Sequence, residues 1–282
     1  MAPPCFSDLG KQARDIFNKN YHFGLVKLEC KTKTKSGVEF TVSGNSNNDT
    51  GRVSASLETK YKLTEHGIIM KEKWNTDNTL ATEVSVEDLG LKGLKLAFDT
   101  TFAPLSGKKT GTLKTAFKND CMHLNTDVDF DFAGPIVQSA AVVCYQGWHA
   151  GTQLGFDTGK NKLTRTSFAL GYTAGDFMLN THVNDGQEFG GTLSQIISGK
   201  LETAVQLSCT AGSNSTQFGL GCVYKLDCDT LLRAKVNKSG QIGLGFTHRL
   251  RDGIQLHLST MIDGKNFNQG GHKLGLGLDL SA

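Results

Sequence analysis

Residues 67–75 read Gly-Ile-Ile-Met-Lys-Glu-Lys-Trp-Asn, "GIIMKEKWN". With the period of two expected of a strand, Ile68, Met70, Glu72 and Trp74 share one face. Ile69, Lys71, Lys73 and Asn75 share the other. One face is therefore apolar but for a carboxylate, and the opposite face carries two amines. The fold must offer the apolar face something other than water, and must leave Glu72 on it.

The same alternation runs through the chain from about residue 24 onward. Leu94, Leu96, Phe98 and Phe102 alternate with Lys95, Ala97, Asp99 and Thr101. Leu124, Val128, Phe130 and Phe132 alternate with Asp127, Asp129 and Asp131, and Leu274, Leu276, Leu278 and Leu280 with Lys273, Gly275, Gly277 and Asp279. Turn signals separate the runs: "SGNSNNDTG" at 43–51, "LSGKKTG" at 105–111, "TGKNK" at 158–162, "TAGSNS" at 210–215, "NKSGQ" at 237–241 and "RDG" at 251–253. No linker divides the series. The Gly-Leu-Lys repeat at 90–95 and the Leu-Gly-Leu-Gly-Leu run at 274–278 lack P-loop spacing and a following helix, and read as strand.

Ahead of this region lies one short amphipathic helix. Pro3 and Pro4 precede it, Ser7 or Asp8 is placed to cap it, and Leu9, Ala13, Ile16 and Phe17 form one face. Lys11, Arg14, Asp15 and Lys19 form the other. No apolar core of a secretory leader is present in this segment, and Asp8 and Asp15 argue against a transit peptide. The expected organisation is a helix and linker over residues 1–23 and a barrel over 24–282.

Composition narrows the architecture. Of 282 residues 38% are hydrophobic, below the share usual for a large soluble core. The longest uncharged stretch, Phe132–Phe156, is broken by Pro135, Gln138, Gln146 and glycines, so a membrane-crossing helix is not expected. A soluble sandwich of this length is expected to show linkers. A lipocalin-type barrel closes with about eight strands, too few for residues 24–282. The third solution is a large closed barrel with lipid outside and water inside, where closure pairs every backbone group and each strand keeps one polar face. The pattern favours this third solution without closing the other two.

Several function classes lose support. A net charge of +3, dispersed along the chain, gives no basic stripe for nucleic acid. Seven cysteines with no CxxC pair argue against a disulfide framework or a zinc ribbon. Cys121, Cys209 and Cys222 read as small wall residues or redox-modifiable thiols. The histidines show neither HxxxH nor HxH spacing and the serines no nucleophile elbow, so no catalytic residue, metal ligand or cofactor is expected.

Specific blocks then carry a resemblance. "SDLGKQARDIFNK" (7–19), "LETKYK" (57–62), "EKWNTDNTL" (72–80), "GLKL" (93–96), "YQGWHAGTQ" (145–153), "VNDGQEFGG" (183–191) and "DGKNFNQGGHKLGLGLDL" (263–280) resemble, in order and end to end, the voltage-dependent anion channels. Tyr224, Asp227, Thr230, Ala234, Lys235, Val236, Asn237, Gly243, Leu244 and Phe246 follow the eukaryotic porin signature, from which Lys238 departs. The resemblance implies an all-β transmembrane barrel of 19 strands, mostly antiparallel, the number known for this family rather than one counted from the alternation. It also implies an N-terminal helix inside the pore and residence, as an integral protein, in the mitochondrial outer membrane. The implied function is a voltage-gated, weakly anion-selective channel passing ATP, ADP, phosphate and other small ions. A docking or lipid-scrambling protein that recruits partners is the alternative.

A channel's chemistry is the charge of its wall. The pore-facing parity carries Lys27, Lys31, Lys33, Lys71, Lys73, Lys95, Lys114, Lys118, Arg233 and Lys235, opposed by Asp127, Asp129 and Asp131. With the helix inside, Lys11, Arg14 and Lys19 add positive charge, and the resemblance places nucleotide-phosphate contacts at these three and at Lys95 and Lys114. The family's glycine-rich hinge here reads Asn20-Tyr21-His22-Phe23-Gly24 and keeps only Gly24. Asn20 tolerates left-handed backbone, whereas His22 is expected to stiffen the link and alter gating. Glu72 becomes lipid-facing. An ionised carboxylate in hydrocarbon is costly, so it is expected to take up a proton in part or to draw in water and cations. It coincides with the membrane-facing glutamate that the resemblance links to hexokinase docking, calcium sensitivity and dimer formation. Hexokinase, apoptosis-regulating proteins, a second copy of the chain and the bilayer itself are the implied partners.

Overall fold

The computed structural model describes residues 3–63, 67–88, 91–130, 134–212, 216–265, 267–268 and 270–282. Asp131, Gly90 and the end of the 210–215 turn lie outside them. Nineteen strands run from β1 (Leu25–Lys33) to β19 (Lys273–Ser281), each eight to thirteen residues long. That matches the roughly 9–11 residues a tilted strand needs to cross a bilayer. Each strand pairs antiparallel with the next, and β1 closes on β19 in parallel, from Val26 opposite Leu276 to Lys31 opposite Ser281. The parallel seam follows from the odd count, because an up-and-down series of 19 strands returns its last strand in the direction of its first. Closure leaves no unpaired edge.

Register carries one inner face around the whole ring. It includes Lys27 and Glu29 on β1, Glu58 and Lys60 on β3 (Val53–Leu63), and Lys71 and Lys73 on β4 (Ile68–Asn75). The opposite parity points outward and is apolar: Trp74 is 58% exposed, Phe98 47% and Leu276 40%. In water that surface would be a large exposed patch, whereas in hydrocarbon it is the solvated face. No helix among the described residues is long and apolar enough to cross a membrane. The strands make the crossing.

Two local expectations are corrected. The polar stretch Ser43–Asn47, read as a turn, belongs to β2 (Glu39–Asn47), with Ser43 opposite Ser56 and Asn45 opposite Ser54. Its inward side chains can be polar because they meet water, and backbone pairing needs no apolar residue. The helix α1 spans Lys11–Asn18 after a single tight turn at Phe6–Asp8, and its N-cap is Gly10 in the left-handed region (φ 69°), with no side-chain cap from Ser7 or Asp8. The expected apolar face is nevertheless the one that packs: Leu9 is 8% exposed, Ala13 1%, Ile16 2% and Phe17 5%.

Candidate functional site

The inner wall and the segment docked on it form the site. Ala13, Ile16 and Phe17 bury against Ala204 of β14 (Leu201–Thr210) and Val223 of β15 (Thr216–Lys225). Leu9 buries against Val142 of β9 (Ile136–Tyr145) and Ala169 of β11 (Lys162–Ala174), with Phe6 beside them. The wall makes room with glycine. A Cβ on Gly221 would stand 2.9 Å from Ile16 and 3.1 Å from Phe17, so the helix lies this close only because that side chain is missing.

Two bases expected to line the pore instead hold the helix. Lys235 Nζ, on β16 (Thr230–Asn237), donates to the carbonyl of Phe17 at 2.6 Å and lies 4.3 Å over the Tyr21 ring and 5.0 Å over Phe23. Arg233 Nη1 donates to the carbonyl of Asp15 at 3.3 Å. Both carbonyls lie in the last turn of α1, at the negative end of the helix dipole. That of Asp15 also accepts from the Lys19 N–H at 3.0 Å, whereas that of Phe17 is one of the end carbonyls left over by the helix. The parity of the two residues was legible; their partner, more than two hundred positions earlier in the chain, carried no signal.

The linker is bolted to the wall as well. Asn20 takes the left-handed conformation expected of it (φ 64°), as does Gly24 (φ 70°). The N–H of His22 donates to Ser259 Oγ at 3.0 Å, and its ring fills the space over Gly277, where a Cβ would be 2.7 Å away. The ring also meets His257 edge-on at 6.0 Å. Behind it, buried His257 is held between Thr247 Oγ1 (3.0 Å) and Asp279 (3.1 Å). Burial, then the charges of Lys27 and His257, hold the His22 imidazole below its ordinary pKa. Burial also pushes the Tyr21 hydroxyl up to about 12. Asp8, near the start of the segment, is held below the usual carboxylate range, first by a hydrogen bond from Cys5.

The remaining bases are largely paired. Glu29 lies 2.7 Å from both Lys27 and Lys31, and Lys33 is 3.2 Å from Glu39. Lys71 sits between Glu58 (3.7 Å) and Glu83 (3.6 Å). On β6 (Leu94–Ala103) Lys95 meets Glu87 at 3.1 Å, and on β7 (Lys108–Lys118) Lys114 meets Asp99 at 2.5 Å. Lys73 opposes Glu58 in register, and Lys118 opposes His123. Asp127 and Asp129 share this face, with Asp127 opposite Lys114. Glutamates of the same parity are as visible in the sequence as the lysines, and the wall is a mosaic of pairs. Such half-exposed pairs are individually weak and screened by salt.

The helix face turned away from the wall keeps Lys11, Arg14 and Lys19 exposed. Lys11 is 3.3 Å from Asp8, and Arg14 donates to the carbonyl of Ser7. A recess of about 470 Å³ lies between this segment and the wall, bordered by Arg14, Arg165, Asp127, Asn180 and Thr192. Lys95 and Lys114 stand elsewhere, on β6 and β7, whereas α1 rests on β13 (Glu188–Ser198), β14 and β15. The proposed nucleotide contacts are thus spread around the lumen.

Glu72 faces outward, between Thr59 and Thr82 in register and in one row with Met70 and Trp74. Among the described residues it has no ion-pair partner. Its neighbours Lys71 and Lys73 point to the lumen.

A closed barrel with an apolar outside, a charged inside and a helix on the inner wall defines a pore-forming membrane protein. The eukaryotic porin family model matches residues 2–275, and the chain belongs to that family. It is 61% identical over 280 residues to the non-selective voltage-gated ion channel VDAC2 of Meleagris gallopavo, covering 99% of this chain and 95% of that protein. The protein of the same name from Xenopus laevis is 59% identical, with 99% of both chains covered. That from Mesocricetus auratus is 57% identical, with 99% and 95% covered.

Proposed function

We propose that the chain forms a voltage-gated, weakly anion-selective channel of the mitochondrial outer membrane, passing ATP, ADP, phosphate and other small ions between cytosol and intermembrane space. The observation that carries this reading is the inner wall: its charges lie in opposite-sign pairs, while Lys11, Arg14 and Lys19 on the helix stay exposed to the lumen. A small excess of positive charge in a wide, wet bore favours anions without excluding cations. Nucleotide phosphates would touch Lys11, Arg14, Lys19, Lys95 and Lys114 briefly and let go. Voltage sensitivity fits a charged segment held on the wall by a few contacts, and the His22 linker is expected to make that segment less mobile than a glycine hinge would. Glu72, the charged member of the outward row Ile68, Met70, Glu72 and Trp74 and flanked by Thr59 and Thr82, is the position we assign to docking of partners within the membrane plane, such as hexokinase, apoptosis-regulating proteins or a second copy. Purified protein in planar bilayers tests the channel reading. The expected result is a large conductance that falls at high voltage of either sign, with a reversal potential modestly on the anion side in a salt gradient. A silent bilayer, or ohmic behaviour at all voltages, would overturn it.

A further inference from the structure

Cys121 and Cys144 are remote in sequence and adjacent in the barrel. Met122, the first residue of β8 (Met122–Phe130), is opposite Val143 of β9. The next pair outward is therefore Cys121 and Cys144, and the N–H of Cys144 donates to the carbonyl of Cys121 at 2.9 Å. Directly opposed residues at a hydrogen-bonded position of an antiparallel ladder have Cα atoms about 5.5 Å apart. That lies inside the window a disulfide requires, about 4.4–6.8 Å. Both side chains fall on the inner face, two positions along from the pair His123 and Val142, where Val142 packs under Leu9. Both thiols are free; Cys121 is exposed and Cys144 half-buried.

The third strand supplies a base. His149 of β10 (Trp148–Asp157) is opposite Cys144 on its other side, so Cys121, Cys144 and His149 form one row across three strands. His149 Nε2 is 3.2 Å from Thr173 Oγ1, and its buried Nδ1 has no partner among the described residues. The row is not a metal centre: among the described residues no group of three or more His, Cys, Asp or Glu is placed to hold an ion. Cys30, Cys209 and Cys222 offer no such pairing, because their opposite residues are Val42 and Leu280, Phe189 and Thr216, and Thr203 and Ala234.

We propose that Cys121 and Cys144 are a reversible dithiol–disulfide site at the mouth of the pore, oxidised by a glutathione-type disulfide that reaches it through the lumen. His149 takes the Cys144 proton, and the Cys144 sulfur attacks one glutathione sulfur. The glutathione S–S bond breaks, and the departing thiolate is protonated by His149. The Cys121 sulfur, losing its proton to solvent, then attacks Cys144 Sγ in the mixed disulfide. The second glutathione thiolate leaves and takes up a proton. Two electrons have passed from the protein sulfurs to glutathione, and one S–S bond has replaced another. The product clamps β8 to β9 beside the wall on which Leu9 rests.

The test uses the full chain in lipid nanodiscs, reduced, then treated with oxidised glutathione at pH 7, blocked with N-ethylmaleimide and digested without reduction. The expected result is a peptide pair linked through Cys121 and Cys144, with loss of both thiols to the maleimide and full recovery after dithiothreitol. Cys121→Ser and Cys144→Ser should each abolish the link, and Cys144→Ala repeats the result if the serine perturbs the strand. His149→Gln should slow link formation several-fold at pH 7 and little at pH 9, where hydroxide replaces the base. Maleimide on both cysteines after oxidation would overturn the proposal. So would glutathione left on Cys121 with no internal link, or a dominant link from either cysteine to Cys5. Equal rates for His149→Gln and the native chain at pH 7 would overturn the role given to His149.

Discussion

Lys235→Met removes the clamp on the C-terminal end of α1 while keeping the apolar stem that packs against the wall. The amine makes a charge-assisted hydrogen bond to the Phe17 carbonyl at 2.6 Å, a bond class worth about 1.5–3 kcal/mol net. It also faces two rings, at 4.3 and 5.0 Å, contacts worth about 0.5–1 kcal/mol each at partly exposed sites. Against these stands the cost of holding a half-buried ammonium, which the methionine does not incur. A net loss of about 2 kcal/mol follows, roughly a thirtyfold rise in the undocked fraction of the helix. Hydrogen exchange in nanodiscs reads this directly, because amides in the last turn of α1 exchange through undocking. Their protection should fall by roughly that factor while the strand amides of β14 and β15 hold. Lys225→Met is the control: its amine meets Glu202 at 3.0 Å and bonds no helix carbonyl. Unchanged protection in Lys235→Met, or an equal loss in both variants, would refute the assignment of Lys235 as the helix clamp.

Acid should loosen the linker. His22 is held below its ordinary pKa by burial and by Lys27 and His257, against the opposing pull of Asp279 and Glu29. The docked linker therefore prefers the neutral ring. Its stability is complete above the ordinary imidazole value of about 6.5 and is lost as pH falls toward the depressed one. Protection of the amides around residue 22 should drop as pH falls below about 6.5, and His22→Gln should flatten that profile; a native profile in the variant would sink the idea. Lys114→Gln leaves Asp99 without its partner at 2.5 Å, so the reversal potential should move toward cations at low salt and return near the native value at 1 M, where screening shortens to about 3 Å. No shift at low salt would mean this pair does not reach the permeating ions. Glu72→Gln should leave conductance and selectivity at native values while changing self-association in the membrane, followed by crosslinking in liposomes; a large selectivity change would place the residue in the pore.

The alternation of Leu94 to Phe102, and of Leu274 to Leu280, was enough to fix strands and faces, because a strand's side-chain period is two and one face had to meet lipid. It could not tell what the inner positions touch. Gly275 and Gly277 read as small residues in an alternating strand, yet each is a seat for His22 approaching from the other end of the chain. Lys235 read as wall charge and serves as a helix clamp. Cys121 read as a small wall residue or redox-modifiable thiol, with no sign that Cys144 faces it across the hairpin. All three depend on which strands become neighbours and at what register, and period two is silent on both. What lines this bore is therefore legible strand by strand, whereas what holds the N-terminal segment in it is a property of closure. Variants that test gating should accordingly be drawn from the seats on β14 to β19 rather than from the lysines that look most like a selectivity ring.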